Sequence, residues 1–202
     1  MKLMSYPTAK RKVALFVTGN IHKFSEARRV LAECNISVAM LNIDAIEIQD
    51  DSLENIARFS AIDAAKKTNL PVFVEDAGLF VKALSGFPGP YSSYVYRTVG
   101  TKGILKLMQN ERKRDAHFSS VVAFCNPKES SEPKIFQGKV EGTITYNEKG
   151  KQGFGYDPIF QSYGRNSKTF AEMTTQEKNR HSHRAQSLRK FARWFSLCTQ
   201  RI

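Results

Sequence analysis

Residues 12–18 (KVALFVT) form a short, β-rich apolar run, the pattern of a buried strand. Gly19 and Asn20 break it, and from His22 onward Phe24, Ala27, Val30 and Leu31 recur at helical spacing. Strand, tight turn and helix in that order open an α/β unit. A second strand is expected over 37–43. Residues 53–67 read as a helix with Leu53, Ile56, Ala57, Ser60, Ala61 and Ala64 along one face. Asn69 and Pro71 close that helix, and VFV at 72–74 predicts another buried strand.

The prolines and glycines of Gly86 to Pro90 argue against regular structure there, and 98–110 is weakly helical. Residues 117–125 and 134–146 predict two strands joined by a polar turn, pairing antiparallel in a second, β-rich lobe. Residues 150–164, rich in Gly and Tyr, read as loop with little strand. Ser182 is placed to cap a last helix whose core stripe is Ala185, Leu188, Phe191, Ala192 and Phe195. No repeat or flexible linker divides the chain. The reading is one mixed α/β domain over 12–202, preceded by an N-terminal extension, 1–11.

Composition agrees with this. The 202 residues are 41% hydrophobic and 25% charged, ordinary for one globular unit. Cys34, Cys125 and Cys198 are widely spaced and make no CxxC pair, which favours a reducing, cytoplasmic setting. No run approaches a membrane span. A net charge of +12 invites a nucleic-acid reading. However, residues 1–12 and 178–202 hold eleven of those twelve charges, leaving the middle almost neutral. Nor do aromatic and basic residues interleave as in single-strand binders. A basic pocket for a small polyanion, with no stable nucleic-acid partner, fits as well.

Four stretches carry candidate chemistry. Thr18-Gly19-Asn20 and Lys23 sit where a strand hands over to a helix; free helix N–H groups, a close-approach glycine and a first-turn lysine suit phosphate. The simpler alternative is a turn glycine and a solvated lysine. Glu75-Asp76 follow the VFV strand, where a carboxylate can hold Mg2+ or orient water, or else are mere turn residues; adjacent residues point opposite ways, so one is expected to face the site. Glu47 can add a carboxylate from a second element. Phe154-Gly155-Tyr156-Asp157-Pro158 offers a ring to stack on a base and an acid to accept from a ring N–H, or else mere aromatic packing under a loop. Lys178, Ser182, His183 and Arg184 cluster before and within the last helix, suited to a phosphate or a carbonyl oxygen. No nucleophile elbow is present, which disfavours covalent catalysis.

In combination these stretches resemble the inosine triphosphate pyrophosphatase family. The similarity runs through TGNIHK (18–23), VEDAGLFVKALSGFPGPYSS (74–93), FQGKVEGTI (136–144), GFGYDPIF (153–160) and TFAEMTTQEKNRHSHRAQSLRKF (169–191), covering nearly all of 12–197. The resemblance implies an elongated mixed α/β sheet with helices, two lobes around a central nucleotide cleft, and a homodimer. It implies Mg2+-dependent hydrolysis of ITP, dITP and XTP to monophosphate and pyrophosphate. By the same resemblance Thr18, Gly19, Asn20, Ile21, His22 and Lys23 are the phosphate loop, and Glu47 and Asp76 the metal carboxylates. Asp76 also orients water, with Glu75 and Ala77 beside it. Phe154 stacks on the purine, Gly155, Tyr156 and Asp157 surround base and sugar, and Lys178, His183 and Arg184 read the 6-oxo group. This chain departs where many relatives carry phosphate-directed basic residues: it has Ser60 and Ser93 instead. Neutralisation is then expected to lean on Lys23, Lys178 and the metal, or on Arg58 or Arg97.

Overall fold

The computed structural model describes residues 12–44, 46, 48–130, 132–164 and 167–198. The expected extension, 1–11, and Glu47 lie outside the described residues. The chain forms β1 (Lys12–Val17), α1 (Ile21–Ala32), β2 (Ile36–Leu41), α2 (Leu53–Thr68), β3 (Val72–Val81) and β4 (Pro88–Gly89). It continues with α3 (Ser92–Thr98), α4 (Gly100–Leu107), β5 (Asp115–Cys125), β6 (Lys134–Ile144), β7 (Phe160–Ser162), α5 (Thr175–His181) and α6 (His183–Cys198). The strands join in one mixed sheet of order β2-β1-β3-β5-β6-β7, with β4 also on β3. β1 runs parallel to β2 and β3, and the remaining pairs are antiparallel.

The core divides along the long strands β3, β5 and β6. On one face Phe16, Phe73, Val122 and Phe124 pack against Val30 and Leu31 of α1 and Leu188 and Phe191 of α6. On the other, Val72, Val74, Val121 and Ala123 meet the Leu53, Ala57, Ala61 and Ala64 stripe of α2. Farther along the same strands, Leu79, Val81 and Phe118 pack with Ile104, Met108, Ile159 and Phe170. Small α2 residues bring that helix close to the sheet, and each apolar stripe occupies its helical period.

Several elements differ from expectation. β3 does not end at Val74 but runs ten residues, because Glu75 to Gly78 pair in register with Ser119–Val122 of β5. The Gly86–Pro90 stretch contains a two-residue strand, its Phe87–Pro88 peptide cis. All of α3 but Thr98 precedes the expected 98–110 helix, and α5 is separate from α6. The β1–β3 ladder covers Leu15–Phe16 against Val72–Phe73, and the β3–β4 ladder covers Leu79–Phe80 against Gly89–Pro88. Between them, residues 74–78 of β3 have no strand on that edge among the described residues. The α1 N-terminus and the charged residues stand at this gap.

Candidate active site

α1 begins directly where β1 leaves the sheet. Asn20 is its N-cap: its side-chain oxygen accepts from the His22 and Lys23 N–H groups at 2.9 and 3.1 Å. Those two donors are therefore occupied rather than free, a correction to the expectation of open helix N–H groups. The Asn20 N–H in turn donates to Thr18 Oγ1 at 3.1 Å, tightening the turn. Lys23 reaches across the sheet gap, donating from Nζ to the Glu75 carbonyl at 3.0 Å and lying 3.2 Å from Glu75 Oε2 and 3.9 Å from Asp76 Oδ1.

Because strand residues alternate, Glu75 and Asp76 face opposite sides of β3. Glu75 points under α6. Its carboxylate is fully buried, accepts from Ser120 Oγ at 2.6 Å and lies 3.1 Å from Arg184 Nε. Burial alone would raise its pKa, but Arg184, Lys23 and the Ser120 hydroxyl outweigh that and hold it down to about 2. Asp76 lies on the α2 side, 27% exposed, with Oδ1 accepting from the Ala77 N–H at 2.9 Å.

Glu26 was not legible as a site residue. It is buried on α1, one helical turn before Val30, and that spacing was the only signal in the sequence that it belongs to the buried stripe. Lys178 of α5 donates to its Oε1 at 2.8 Å and Arg184 of α6 to its Oε2 at 2.6 Å. Lys178 also donates to Asp157 Oδ2 at 2.6 Å. Burial raises the Glu26 pKa, and the two cations more than reverse this, so it is held below the usual carboxylate range. Asp157 has one cation, shared; burial prevails there and pushes it up. The result is a ladder of alternating charge: Asp157, Lys178, Glu26, Arg184, Glu75, Lys23, Asp76. Its first members are buried and its last is partly exposed.

The aromatic loop sits at the buried end. The Phe154 ring stacks on His22 with centroids 5.1 Å apart and a 16° interplanar angle. Lys178 Nζ and Arg184 Cζ lie 4.9 and 5.4 Å from its centre. Asp157 Oδ2 fixes the loop by accepting from the Phe154 N–H at 2.9 Å. Gly153 is required there: at φ +74° a Cβ would fall 2.0 Å from that same oxygen. Tyr156 is buried, its hydroxyl donating to the Ser92 carbonyl at 3.2 Å. His183 stacks on Phe118 at 4.5 Å, and burial, with Arg184 and Lys178 beside it, holds its pKa well below the ordinary histidine value. Its Nδ1 has no hydrogen-bond partner among the described residues.

The predicted residues on α1, β3, the aromatic loop, α5 and α6 are thus brought together. Ser60, Ser93, Arg58 and Arg97 are not part of the ladder. Ser60 is buried against the Ile46 carbonyl, Ser93 is exposed, and Arg58 pairs with Glu54 and Glu132. A cavity of about 510 Å³ opens between the α2 N-terminus and β5–β6, lined by Glu54, His117, Gln137 and Lys139. None of the sequence-predicted residues lines it, so it is separate from this constellation. Among the described residues, no three His, Cys, Asp or Glu side chains gather as a metal cage.

Residues 14–194 match the Ham1 family. The chain belongs to that family. It is 49% identical to the dITP/XTP pyrophosphatase of Methanopyrus kandleri over 181 residues, 90% of this chain and 95% of that protein. It is 49% identical to the dITP/XTP pyrophosphatase of Thermococcus kodakarensis over 179 residues, 89% and 95% of the two chains. The structure of a HAM1 protein from Coxiella burnetii superposes with a TM-score of 0.81 at 30% identity, covering 92% of this chain and 98% of that one. The mixed α/β architecture described above is therefore that of the Ham1 family. No helix among the described residues is long and apolar enough to cross a membrane.

Proposed function

We propose that the protein hydrolyses the α–β phosphoanhydride of non-standard purine nucleoside triphosphates (ITP, dITP and XTP), giving the monophosphate and pyrophosphate. The observation that carries this is the charge ladder joining Phe154 and two clamped cations at one end to the partly exposed Asp76 at the other. Its weight comes from near full-length similarity to enzymes named for dITP and XTP.

In this reading the purine stacks on Phe154. The Lys178 ammonium has three N–H donors, and two go to Glu26 and Asp157. What Lys178 and Arg184 have left to offer is donors alone, which suit the 6-oxo group of hypoxanthine or xanthine. Adenine presents an amino donor there, and a donor-to-donor clash leaves buried groups unpaired. His183, with its unpartnered Nδ1, is a further group for which the nucleotide supplies a partner. Asp157, Gly155 and Tyr156 act by holding the aromatic loop against Lys178 and α3.

The phosphates lie at the sheet gap, over the Thr18–Lys23 turn. Mg2+ suits this donor set, since it is commonly held by one or two carboxylates together with substrate phosphates rather than by a protein cage. Asp76 and Glu47 would hold it, and when bound it neutralises phosphate oxygens and polarises the scissile bond. Asp76 positions the attacking water and accepts its proton. Lys23, 3.9 Å from Asp76 Oδ1, adds positive charge beside the phosphates. Glu75, buried under Arg184, anchors the ladder and does not touch substrate.

The setting is cytoplasmic and the assembly a homodimer. Large apolar side chains left exposed on and around α3, Tyr91, Tyr94, Tyr96 and Val99 among them, support the second point. Product identification tests the reaction. IMP plus pyrophosphate from ITP is expected, whereas IDP plus orthophosphate contradicts cleavage between the α- and β-phosphates.

A further inference from the structure

His22 is the exposed member of the stack on Phe154, and nothing in the mechanism above uses its ring. The other groups over Phe154, Lys178 and Arg184, are buried and held by Glu26, Asp157 and Glu75. They cannot leave without exposing unpaired carboxylates. His22 sits on the first turn of α1, its backbone N–H fixed by Asn20 but its side chain in solvent. Its imidazole lies nearly parallel to the Phe154 ring, at the separation of an aromatic stack. That is the geometry a purine needs.

We infer that His22 occupies, in the free protein, the face of Phe154 on which the purine stacks, so the imidazole must swing out for the base to enter. This rests on the reading that the base stacks on Phe154. The placeholder keeps the Phe154 ring covered between turnovers, and it weakens the apparent affinity for every purine alike. It therefore sets affinity without contributing to base choice.

The test uses the full chain with isotope-labelled histidine, titrated with IMP and followed by NMR. Comparison with a His22→Gln variant assigns the His22 ring signals. In the free protein they are expected shifted upfield by the Phe154 ring current, and at saturating IMP they move to the positions of an exposed histidine. In calorimetry, His22→Ala binds IMP about two- to tenfold more tightly, the worth of one aromatic stack. Phe154→Ala binds IMP more weakly and loses the upfield shift. His22 signals unmoved at saturation overturn the inference, and so does weaker binding by His22→Ala, which would make the imidazole a contact. If Phe154→Ala leaves IMP affinity intact, the stacking reading itself fails. That outcome is distinct from a failure of His22 alone.

Discussion

Glu26 accepts a 2.6 Å hydrogen bond from Arg184 across 158 residues of sequence, with both side chains buried. The contact fastens the first helix to the last and makes the other carboxylate oxygen available to Lys178. A buried carboxylate between two cations is stable only as a set, because removing one member strands the others in a low-dielectric interior.

Glu26→Gln is therefore expected to destabilise the fold by about 3–5 kcal/mol in urea unfolding. Adding Lys178→Met relieves part of the loss, since one stranded ammonium is gone. If the double variant instead loses the sum of the two single effects, within about 0.5 kcal/mol, the groups are not coupled.

Acid should reach Glu75 late. Its folded pKa of about 2 lies below the ordinary 4.5, so its ionised form contributes stability above about pH 4.5. That contribution is lost as pH falls toward 2, and amounts to roughly 3 kcal/mol at most. Glu26, also held low, acts in the same direction. Unfolding free energies at pH 5 and pH 3 should fall steeply in the wild type and less steeply in Glu75→Gln. Parallel slopes would mean that Glu75 does not carry this dependence.

Gly138 of β6 marks where α6 crosses the sheet. A Cβ there would lie 2.0 Å from the His183 carbonyl and 2.6 Å from the Ser187 amide. Backbone on both sides cannot yield without moving the start of α6. Gly138→Ala should cost about 1–3 kcal/mol and raise KM for ITP, because His183 and Arg184 ride on that turn. A variant with wild-type melting temperature and KM would show that the crossing is looser.

These residues also show how far the sequence could be read. The β1–turn–α1 unit and the Ser182-capped helix were legible because each has a clean apolar period and its own cap: Ser182 Oγ accepts from the Ala185 N–H at 3.2 Å. β3 was cut short because two adjacent carboxylates resemble a turn. Their strand conformation is set by β5, and the Glu75 charge is met by Ser120, Lys23 and Arg184 from three other elements. Glu26 could not be picked out because its partners lie 152 and 158 residues away. The aromatic loop was recognisable as a ring beside an acid. That the acid holds the loop rather than standing open could be seen only once Lys178 was placed beside it.

The exposed α3 side chains predict a second copy of the chain. Tyr94 is 63% exposed, and Tyr94→Glu should shift the assembly toward monomer in sedimentation analysis while leaving the monomer folded. An unchanged mass would place the interface elsewhere or remove it.

The central claim is that Asp76 drives chemistry on a purine chosen by its 6-oxo group. The most direct test is kcat/KM for ITP, XTP, GTP and ATP with Mg2+, for the wild type and for Asp76→Asn. The account predicts ITP and XTP preferred over ATP by about 10²-fold or more. It also predicts kcat for ITP lowered about 10²–10⁴-fold in the variant, with its melting temperature preserved. Equal use of ATP, or an Asp76→Asn enzyme that keeps its kcat, would contradict it.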